Sequence, residues 1–241
     1  MNVKDIKNLK QISAFEGNFA VYVTTANKAG IINRQGEVIY PADKYDGAFH
    51  IENGVFNLQV YDGQTPDIYF DAQSCKEVEK PTTPALDDRS LPCFAQEGEY
   101  WCAENRIAFK EGKSFGIKDE NGNIIVPAQY TYVSQAKPFH FKNTLICVKD
   151  QAGLQGYIDL DGKTIIPCQY PYVGWNRQLN IHKFHTDENK WGYMDAKGGI
   201  IIPAEYDAID AGSSYGLNEI AVSKDGRCYF INEKQEEVTI F

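Results

Sequence analysis

Histidines are the first candidates for chemistry in this sequence of 241 residues, which contains four of them. His182 and His185 are three positions apart, a spacing found in some metal sites, but they fall in a predicted β-strand. Alternate residues of a strand point to opposite faces, so two residues three positions apart diverge. We therefore expect one inward and one outward histidine here, and no metal site.

Two patterns match ion-binding motifs only in part. The segment 159–162, which reads Asp-Leu-Asp-Gly, begins like a calcium loop but lacks a third ligand and the Glu at position twelve. Gly112-Lys113-Ser114 ends like a phosphate loop, yet Ile107 stands where that loop requires Gly. Neither a Gly-x-Ser-x-Gly elbow nor a Cys–His nucleophile motif is present. The sequence therefore predicts a protein that is not an enzyme and uses no cofactor or metal.

A cluster of aromatic and acidic residues is the candidate for partner binding. Glu97, Glu99, Tyr100 and Trp101 follow an irregular stretch that contains three prolines between residues 81 and 92. Aromatic side chains beside carboxylates favour a basic protein partner. Trp175 is a further aromatic candidate. In the alternative interpretation, both tryptophans pack within the fold.

Charge and composition exclude several classes of protein. Only 24 Lys and Arg stand against 33 Asp and Glu, a net charge of −9, which argues against nucleic acid or an anionic membrane as partner. No run of 18 apolar residues is present, and the charged start lacks the apolar segment of a secretion signal. The six cysteines form no C-x-x-C pair, as expected for reduced structural residues. We therefore expect a cytoplasmic protein.

An internal repeat is the main signal for the fold. Four segments align without gaps, and in each the first Gly is followed by a second Gly six residues later and by a Pro eleven residues later. The four segments begin at Gly30, Gly116, Gly156 and Gly192. Weaker copies begin at Ile68 and Tyr229, so six units of about forty residues account for the chain. This predicts one all-β domain over residues 1–241.

Each unit reads as a β-hairpin with one or two further strands. An Asp or Asn starts the turn and accepts hydrogen bonds, while the second Gly supplies a left-handed conformation. We therefore predict positive φ at Gly162 and Gly198. The Pro is predicted to end the second strand of the hairpin, because it has no N–H to donate.

One unit carries a family resemblance. Lys190-Trp191-Gly192-Tyr193-Met194-Asp195, followed by Ile202-Pro203-Ala204-Glu205-Tyr206, resembles the WG-repeat family of bacterial proteins. Phe115, Gln155 and Ala29 replace the tryptophan in other units. The resemblance covers most of residues 28–241 and implies an all-β repeat domain that acts as an interaction module, without known catalytic residues.

The phase of the repeat suggests how its ends meet. A predicted strand at Phe19–Val23 has no hairpin before it, and the last hairpin, at Phe230–Ile240, has no later strand after it. We expect the first strand to complete the last unit and so close a six-bladed β-propeller-like ring. An open β-superhelix is the alternative.

These features favour a non-catalytic scaffold that binds another protein. A narrower hypothesis is an inhibitor or immunity-type protein that binds a toxin, because acidic charge suits a basic nuclease. Carbohydrate binding is the alternative, and it needs exposed aromatic residues at equivalent positions of the repeat. The residues that could serve are Tyr45, Tyr130, Tyr170 and Tyr206. An enzyme with its site in a central channel would instead show inward-facing His, Asp or Glu.

Overall fold

The computed structural model describes residues 2–6, 8–81, 98–136 and 144–240. These residues form six antiparallel sheets of four strands, and in every sheet each strand pairs with the next strand along the chain. Short 3-10 helices lie at Val3–Asp5 and Gly216–Asn218. Among the described residues, no helix has the length and apolar character to cross a membrane. The all-β architecture of six repeated units is confirmed.

The first three sheets precede the middle of the chain. The first contains β1 (Leu9–Ile12), β2 (Phe19–Thr24), β3 (Ala29–Asn33) and β4 (Val38–Tyr40). The second contains β5 (Gly47–Glu52), β6 (Val55–Gln59), β7 (Ile68–Asp71) and β8 (Lys76–Val78). The third contains β9 (Tyr100–Ala103), β10 (Arg106–Glu111), β11 (Ser114–Lys118) and β12 (Ile124–Tyr130).

The last three sheets follow the same order. The fourth contains β13 (Tyr132–Val133), β14 (Leu145–Lys149), β15 (Gln155–Asp159) and β16 (Thr164–Tyr170). The fifth contains β17 (Tyr172–Asn176), β18 (Ile181–His185), β19 (Trp191–Asp195) and β20 (Ile200–Tyr206). The sixth contains β21 (Ala208–Ala211), β22 (Ile220–Lys224), β23 (Arg227–Ile231) and β24 (Glu237–Val238). The repeated hairpin is thus the third and fourth strand of each sheet.

The hairpin turn has the chemistry that the sequence predicts. Asp159 Oδ1 accepts hydrogen bonds from the backbone N–H groups of Asp161 at 3.0 Å and Lys163 at 2.9 Å. Gly162 and Gly198 have φ of 80° and 86°, so both predictions of positive φ are confirmed. The Asp side chain replaces missing turn hydrogen bonds, and Gly adopts the left-handed conformation without a steric penalty.

Replacing Gly162 with Ala is expected to destabilise the protein more than the same change at Gly122. Both glycines end a turn of the same kind, Gly122 in the third sheet and Gly162 in the fourth, and their positive φ alone makes Ala unfavourable by about 1 kcal/mol. A Cβ at Gly162 would also lie 2.6 Å from Val126 Cγ2, whereas nothing lies within 4 Å of a Cβ at Gly122. Urea unfolding of the two variants measures the difference, and equal destabilisation would contradict the contact with Val126.

The prediction that Pro ends the strand is wrong in three units. The strands β12, β16 and β20 continue through Pro127, Pro167 and Pro203 to the following Tyr. The pairing register shifts opposite each Pro, so the strand bulges there. These are edge strands, where a residue without an N–H breaks no hydrogen bond to a further strand. Only β4 stops immediately before its proline, Pro41.

The predicted pairing of the N-terminal strand with the last hairpin is also wrong. The residues expected to complete the last sheet lie in β2, which pairs with β1 and β3 inside the first sheet. The sixth sheet already has four strands of its own, supplied by residues 208–238. The reason is β1, a short strand that carries no repeat signature and makes the first sheet complete.

The first and sixth sheets nevertheless pack against each other. β1 contacts β22 and β23, and Arg34 forms two hydrogen bonds of 2.8 Å with the Glu219 carboxylate. One buried apolar cluster is shared by the two sheets. Its members are Val3, Ile12, Phe15, Ala20, Tyr22, Ile32, Ala221 and Phe230. Side-chain packing, instead of strand exchange, brings the two ends of the described chain together.

The sheets follow one another in a common, propeller-like orientation. The third strand of a sheet contacts the first strand of the next in the pairs β3–β5, β11–β13, β15–β17, β19–β21 and β23–β1. The first strands of the six sheets therefore share one direction. Each begins at one end of the fold and finishes at the other. The second and third sheets are joined by residues 82–97, outside the described ranges, and closure of the ring at this junction stays a prediction.

Candidate functional site

The acidic and aromatic candidates of the third sheet make contacts within the fold. Glu99 forms an ion pair of 2.5 Å with Lys118. The Tyr100 hydroxyl donates to the Val133 carbonyl at 2.7 Å, and burial raises the pKa of this phenol to about 12. Glu97 lies outside the described residues. The polar groups of Glu99 and Tyr100 are thus already paired with other parts of the protein.

The two tryptophan candidates both lie on first strands. Trp101 is half-buried in β9, and its carbonyl accepts a hydrogen bond from the Ala136 N–H at 2.8 Å. Trp175 is half-buried in β17, between the Arg177 guanidinium at 5.4 Å and the His182 ring at 6.1 Å. The structure thus brings Glu99, Tyr100 and Trp101 together on β9 and places Trp175 in the fifth sheet. Their role in partner binding stays a prediction.

The histidine pair diverges as the strand periodicity predicts. His182 is fully buried, whereas His185 is half-buried and stacks on Tyr172 at 5.9 Å with an angle of 3° between the rings. Within the described ranges, no group of three or more His, Cys, Asp or Glu has an arrangement that could hold a metal ion.

The four tyrosines proposed as sugar platforms face the interior. Tyr45 and Tyr206 are buried, with 1% and 3% of their surfaces exposed. Tyr130 and Tyr170 are half-buried, and the ring of Tyr170 packs on Phe184 at 5.0 Å. Tyr130, Tyr170 and Tyr206 end fourth strands and Tyr45 follows one, and the four present no row of exposed aromatic faces.

A different set of tyrosines is exposed where the first strands begin. We call this set, Tyr61, Tyr132 and Tyr172, the tyrosine face; its members have 65%, 44% and 40% of their surfaces exposed. Tyr132 and Tyr172 open β13 and β17, so they occupy equivalent positions in adjacent sheets. Sequence reasoning missed all three, although a repeated Tyr-x-Tyr pattern at residues 130–132 and 170–172 was an available signal.

Acidic residues adjoin each member of the tyrosine face. Tyr132 pairs with Lys149, which precedes Asp150, and Tyr172 pairs with His185, two residues before Asp187. Tyr61 is followed directly by Asp62. The Thr65 hydroxyl and backbone N–H groups donate to Asp62 and lower the pKa of its carboxyl to about 2. This end of the fold therefore combines exposed phenol rings with acidic side chains.

Two adjoining cavities lie toward the other end. The inner cavity, of about 370 Å³, is lined by the first strands β1, β5 and β21, by residues of β2 and β6, and by Asn176 and Gln178 at and after the end of β17. The loop cavity, of about 280 Å³, is lined by the turns that follow β1, β5, β7 and β21. The two share Glu16, Phe19 and His50. First strands from four sheets thus border the inner cavity.

A sequence-family comparison identifies the repeat. The family described as WG containing repeat matches residues 30–61, 115–149, 156–175 and 191–228, just over half of the chain. The chain belongs to the WG-repeat family. All four matches begin within the third strand of a sheet, namely β3, β11, β15 and β19. In the fifth sheet the WG tryptophan, Trp191, lies 4.7 Å from the His185 ring and 4.6 Å from Lys183 Nζ. No curated protein sequence matches the chain.

Solved structures show weak similarity to this WG-repeat chain. A chain of the mitotic checkpoint complex is 8% identical with a TM-score of 0.45, and the match covers 96% of this chain and 90% of that one. The β-propeller domain of Cps50 (Swd1) from Myceliophteria thermophila is 14% identical with a TM-score of 0.36, covering 97% and 84%. Hsv2 from Kluyvelomyces marxianus is 11% identical with a TM-score of 0.36, covering 94% and 76%. Similarity this low says nothing about binding or activity.

Proposed function

We propose that this WG-repeat protein is a non-catalytic interaction module that binds a basic surface of another protein at its tyrosine face. The observation that carries the proposal is the exposure of Tyr132 and Tyr172 at equivalent positions of adjacent sheets, each near an acidic turn. Tyrosine offers a large amphipathic contact area and is enriched among the residues that dominate binding energy.

Electrostatics supports a basic partner. The protein carries a net charge of −9, and the turns beside the tyrosine face contribute Asp62, Asp150, Asp187 and Glu188. Complementary charge accelerates association and selects against acidic partners. A narrower form of the proposal is an inhibitor or immunity-type protein that covers the active site of a basic toxin in the cytoplasm.

Replacing Tyr132 and Tyr172 together with Ala is expected to weaken partner binding by about a hundredfold, because two anchors of roughly 1–2 kcal/mol each are removed. A partner would be captured from the native lysate on the wild-type protein, purified, and titrated calorimetrically against both proteins. Affinity is also expected to fall as salt is raised.

Ile200→Ala is the matched control. Ile200 is 55% exposed but begins a fourth strand, at the end of the fold away from the tyrosine face. This variant should bind as the wild type does. Thermal melts should show that all variants remain folded. A purified partner that binds the double tyrosine variant with unchanged affinity would place the interface elsewhere.

A further inference from the structure

Six side-chain amides line the two cavities. Gln11, Asn176 and Gln178 line the inner cavity, and Asn18, Asn53 and Gln73 line the loop cavity. In the described part of the chain, no protein group is hydrogen-bonded to the side-chain amides of Gln11, Asn18 or Gln178. A primary amide is neutral and offers two donor hydrogens and an acceptor oxygen. The lining can therefore satisfy a ligand that has both donors and acceptors.

The carboxylates at the cavities are engaged in holding two sheets together. Glu16 accepts hydrogen bonds from the Ser213 N–H at 2.8 Å, from the Ser213 hydroxyl at 2.9 Å and from the Ser214 hydroxyl at 2.8 Å. Asp210 Oδ2 accepts from the Ala14 N–H at 2.8 Å. These bonds link the first and sixth sheets. A ligand therefore meets mainly neutral amides and not a cluster of unpaired negative charge.

An aromatic ring completes the inner cavity. Phe49 projects from β5, the first strand of the second sheet, with 46% of its surface exposed, and it lines the same cavity as Gln11 and Gln178. His50, the next residue, lines both cavities and packs edge-on against Phe56 at 5.2 Å. An exposed ring beside uncommitted amides offers an apolar face and hydrogen bonds to one ligand.

We propose that the inner and loop cavities form a binding site for a neutral carbohydrate, with the inner cavity holding one sugar unit and the loop cavity the next. A sugar ring has an apolar C–H face that packs on Phe49 and hydroxyl groups that donate to and accept from amides. The inner cavity's volume of about 370 Å³ lies in the range of roughly 300–1,000 Å³ found for small-molecule sites.

Two other ligand classes fit these cavities less well. A lysine or arginine side chain, or a free polyamine, needs carboxylate oxygens, and both oxygens of Glu16 and one oxygen of Asp210 already accept hydrogen bonds from the protein. A peptide backbone binds best along an exposed strand edge with free N–H and C=O groups, whereas the inner cavity is bordered mainly by side chains from four sheets. The site is independent of the tyrosine face, so either proposal can fail without the other.

The test is ligand-observed saturation-transfer NMR, followed by calorimetry, on the full chain. The probes are glucose, galactose, mannose and N-acetylglucosamine, with the disaccharides maltose, cellobiose, lactose and chitobiose. At least one sugar is expected to bind, its disaccharide more tightly than its monosaccharide because both cavities are filled. Phe49→Ala should raise the Kd about tenfold, since a ring contact is lost. Gln11→Ala should raise it about threefold or more.

Ile124→Ala is the matched control, because Ile124 is 64% exposed, begins β12 of the third sheet and lines neither cavity, so this variant should leave sugar binding unchanged. Phe49 and Gln11 are not fully buried, and thermal melts check that their variants stay folded. Three results would each overturn the proposal. The first is the absence of saturation transfer to every sugar. The second is sugar binding that neither Phe49→Ala nor Gln11→Ala weakens. The third is tighter binding of spermidine or triglycine, used as probes, than of any sugar.

Discussion

Replacing Gly192 with Ala should destabilise the fold by about 3 kcal/mol, because the added methyl group has no space. A Cβ at Gly192 would lie 2.5 Å from the Ile202 carbonyl oxygen and 2.9 Å from the Ala204 nitrogen. Both are backbone atoms, so no rotamer change can relieve the contact. Gly156 has the same surroundings, with the Ile166 oxygen at 2.5 Å and the Cys168 nitrogen at 2.8 Å. The first Gly of the repeat is thus required by the bulge at the Pro of the fourth strand.

Gly226→Ala is the matched control for this prediction. Gly226 has φ of 76° with nothing within 4 Å of a Cβ, so its substitution should be unfavourable by only about 1 kcal/mol, through backbone strain alone. Urea unfolding of both variants at one pH gives the two free energies of unfolding. If Gly192→Ala were no more destabilising than Gly226→Ala, close approach of the fourth strand could not explain the first Gly of the repeat.

The parts of the fold that depend on local chemistry could be predicted from sequence. Asp159 and Gly162 determine their turn through local contacts, so the spacing of these two residues was sufficient to predict it. The behaviour of Pro167 was not predictable in this way, because it depends on whether the strand has a neighbour on its outer side. An edge strand can contain Pro, and only the complete sheet shows which strand is the edge.

The error about the chain's ends has a similar cause. β1, at Leu9–Ile12, is a strand because β2 supplies its hydrogen bonds, and its four residues lack turn or repeat signals. Without β1, the first sheet looked incomplete and Phe19–Val23 looked available to the last hairpin. The contact between the two ends was correctly expected, but it is made by side-chain packing and by the Arg34–Glu219 ion pair.

The two proposed binding sites, the tyrosine face and the cavities, each combine residues from separate sheets. Sequence spacing alone does not show that these residues lie close together. The candidate residues Glu99 and Tyr100 have the right chemistry, but strand pairing provides them with partners inside the protein. Tyr132 and Tyr172 stay exposed because they begin first strands at the end of the fold. The amides of Gln11 and Gln178 line one cavity only because the first and fifth sheets both border it.

His182 occupies a position that is apolar in the other five sheets. It lies on the second strand of its sheet and pairs with Met194 on the third strand. Met194 is two residues after Gly192, the first Gly of this unit. The equivalent residues of the other sheets are Ala20, Phe56, Ile107, Ile146 and Ile220. His182 has no exposed surface, and neither ring nitrogen has a hydrogen-bond partner among the described residues. Its ring packs on Tyr157 at 4.7 Å and on Trp175 at 6.1 Å.

Burial lowers the pKa of His182 to about 4, against a smaller opposing effect of the Asp195 carboxylate. The folded protein thus binds a proton less readily than the unfolded chain, whose histidine has a pKa of about 6.5. Protonation of His182 therefore costs the folded state no stability well above pH 6.5, and the free energy of unfolding declines as the pH falls from 6.5 toward 4. At pH 4 this amounts to a loss of up to about 3 kcal/mol of the free energy of unfolding.

His182→Ile is therefore expected to make the protein less sensitive to acid. The Ile variant should be more stable than the wild type by about 1 kcal/mol at pH 7, because two unpaired buried nitrogens are removed. Its advantage should grow steadily from pH 6.5 to pH 4.5. Urea unfolding at pH 7, 6, 5 and 4.5 measures both quantities, and the difference between the two proteins cancels the titration of groups they share.

His182→Gln separates the effect of the proton from that of polarity. Gln is polar but does not titrate, so this variant should also lack the loss between pH 6.5 and 4.5, without the gain in stability at pH 7 that Ile provides. If wild type and both variants lost stability in parallel over that range, His182 would not be the group whose protonation opposes folding. The acid sensitivity would then belong to side chains outside the interface of Tyr157, Trp175 and His182.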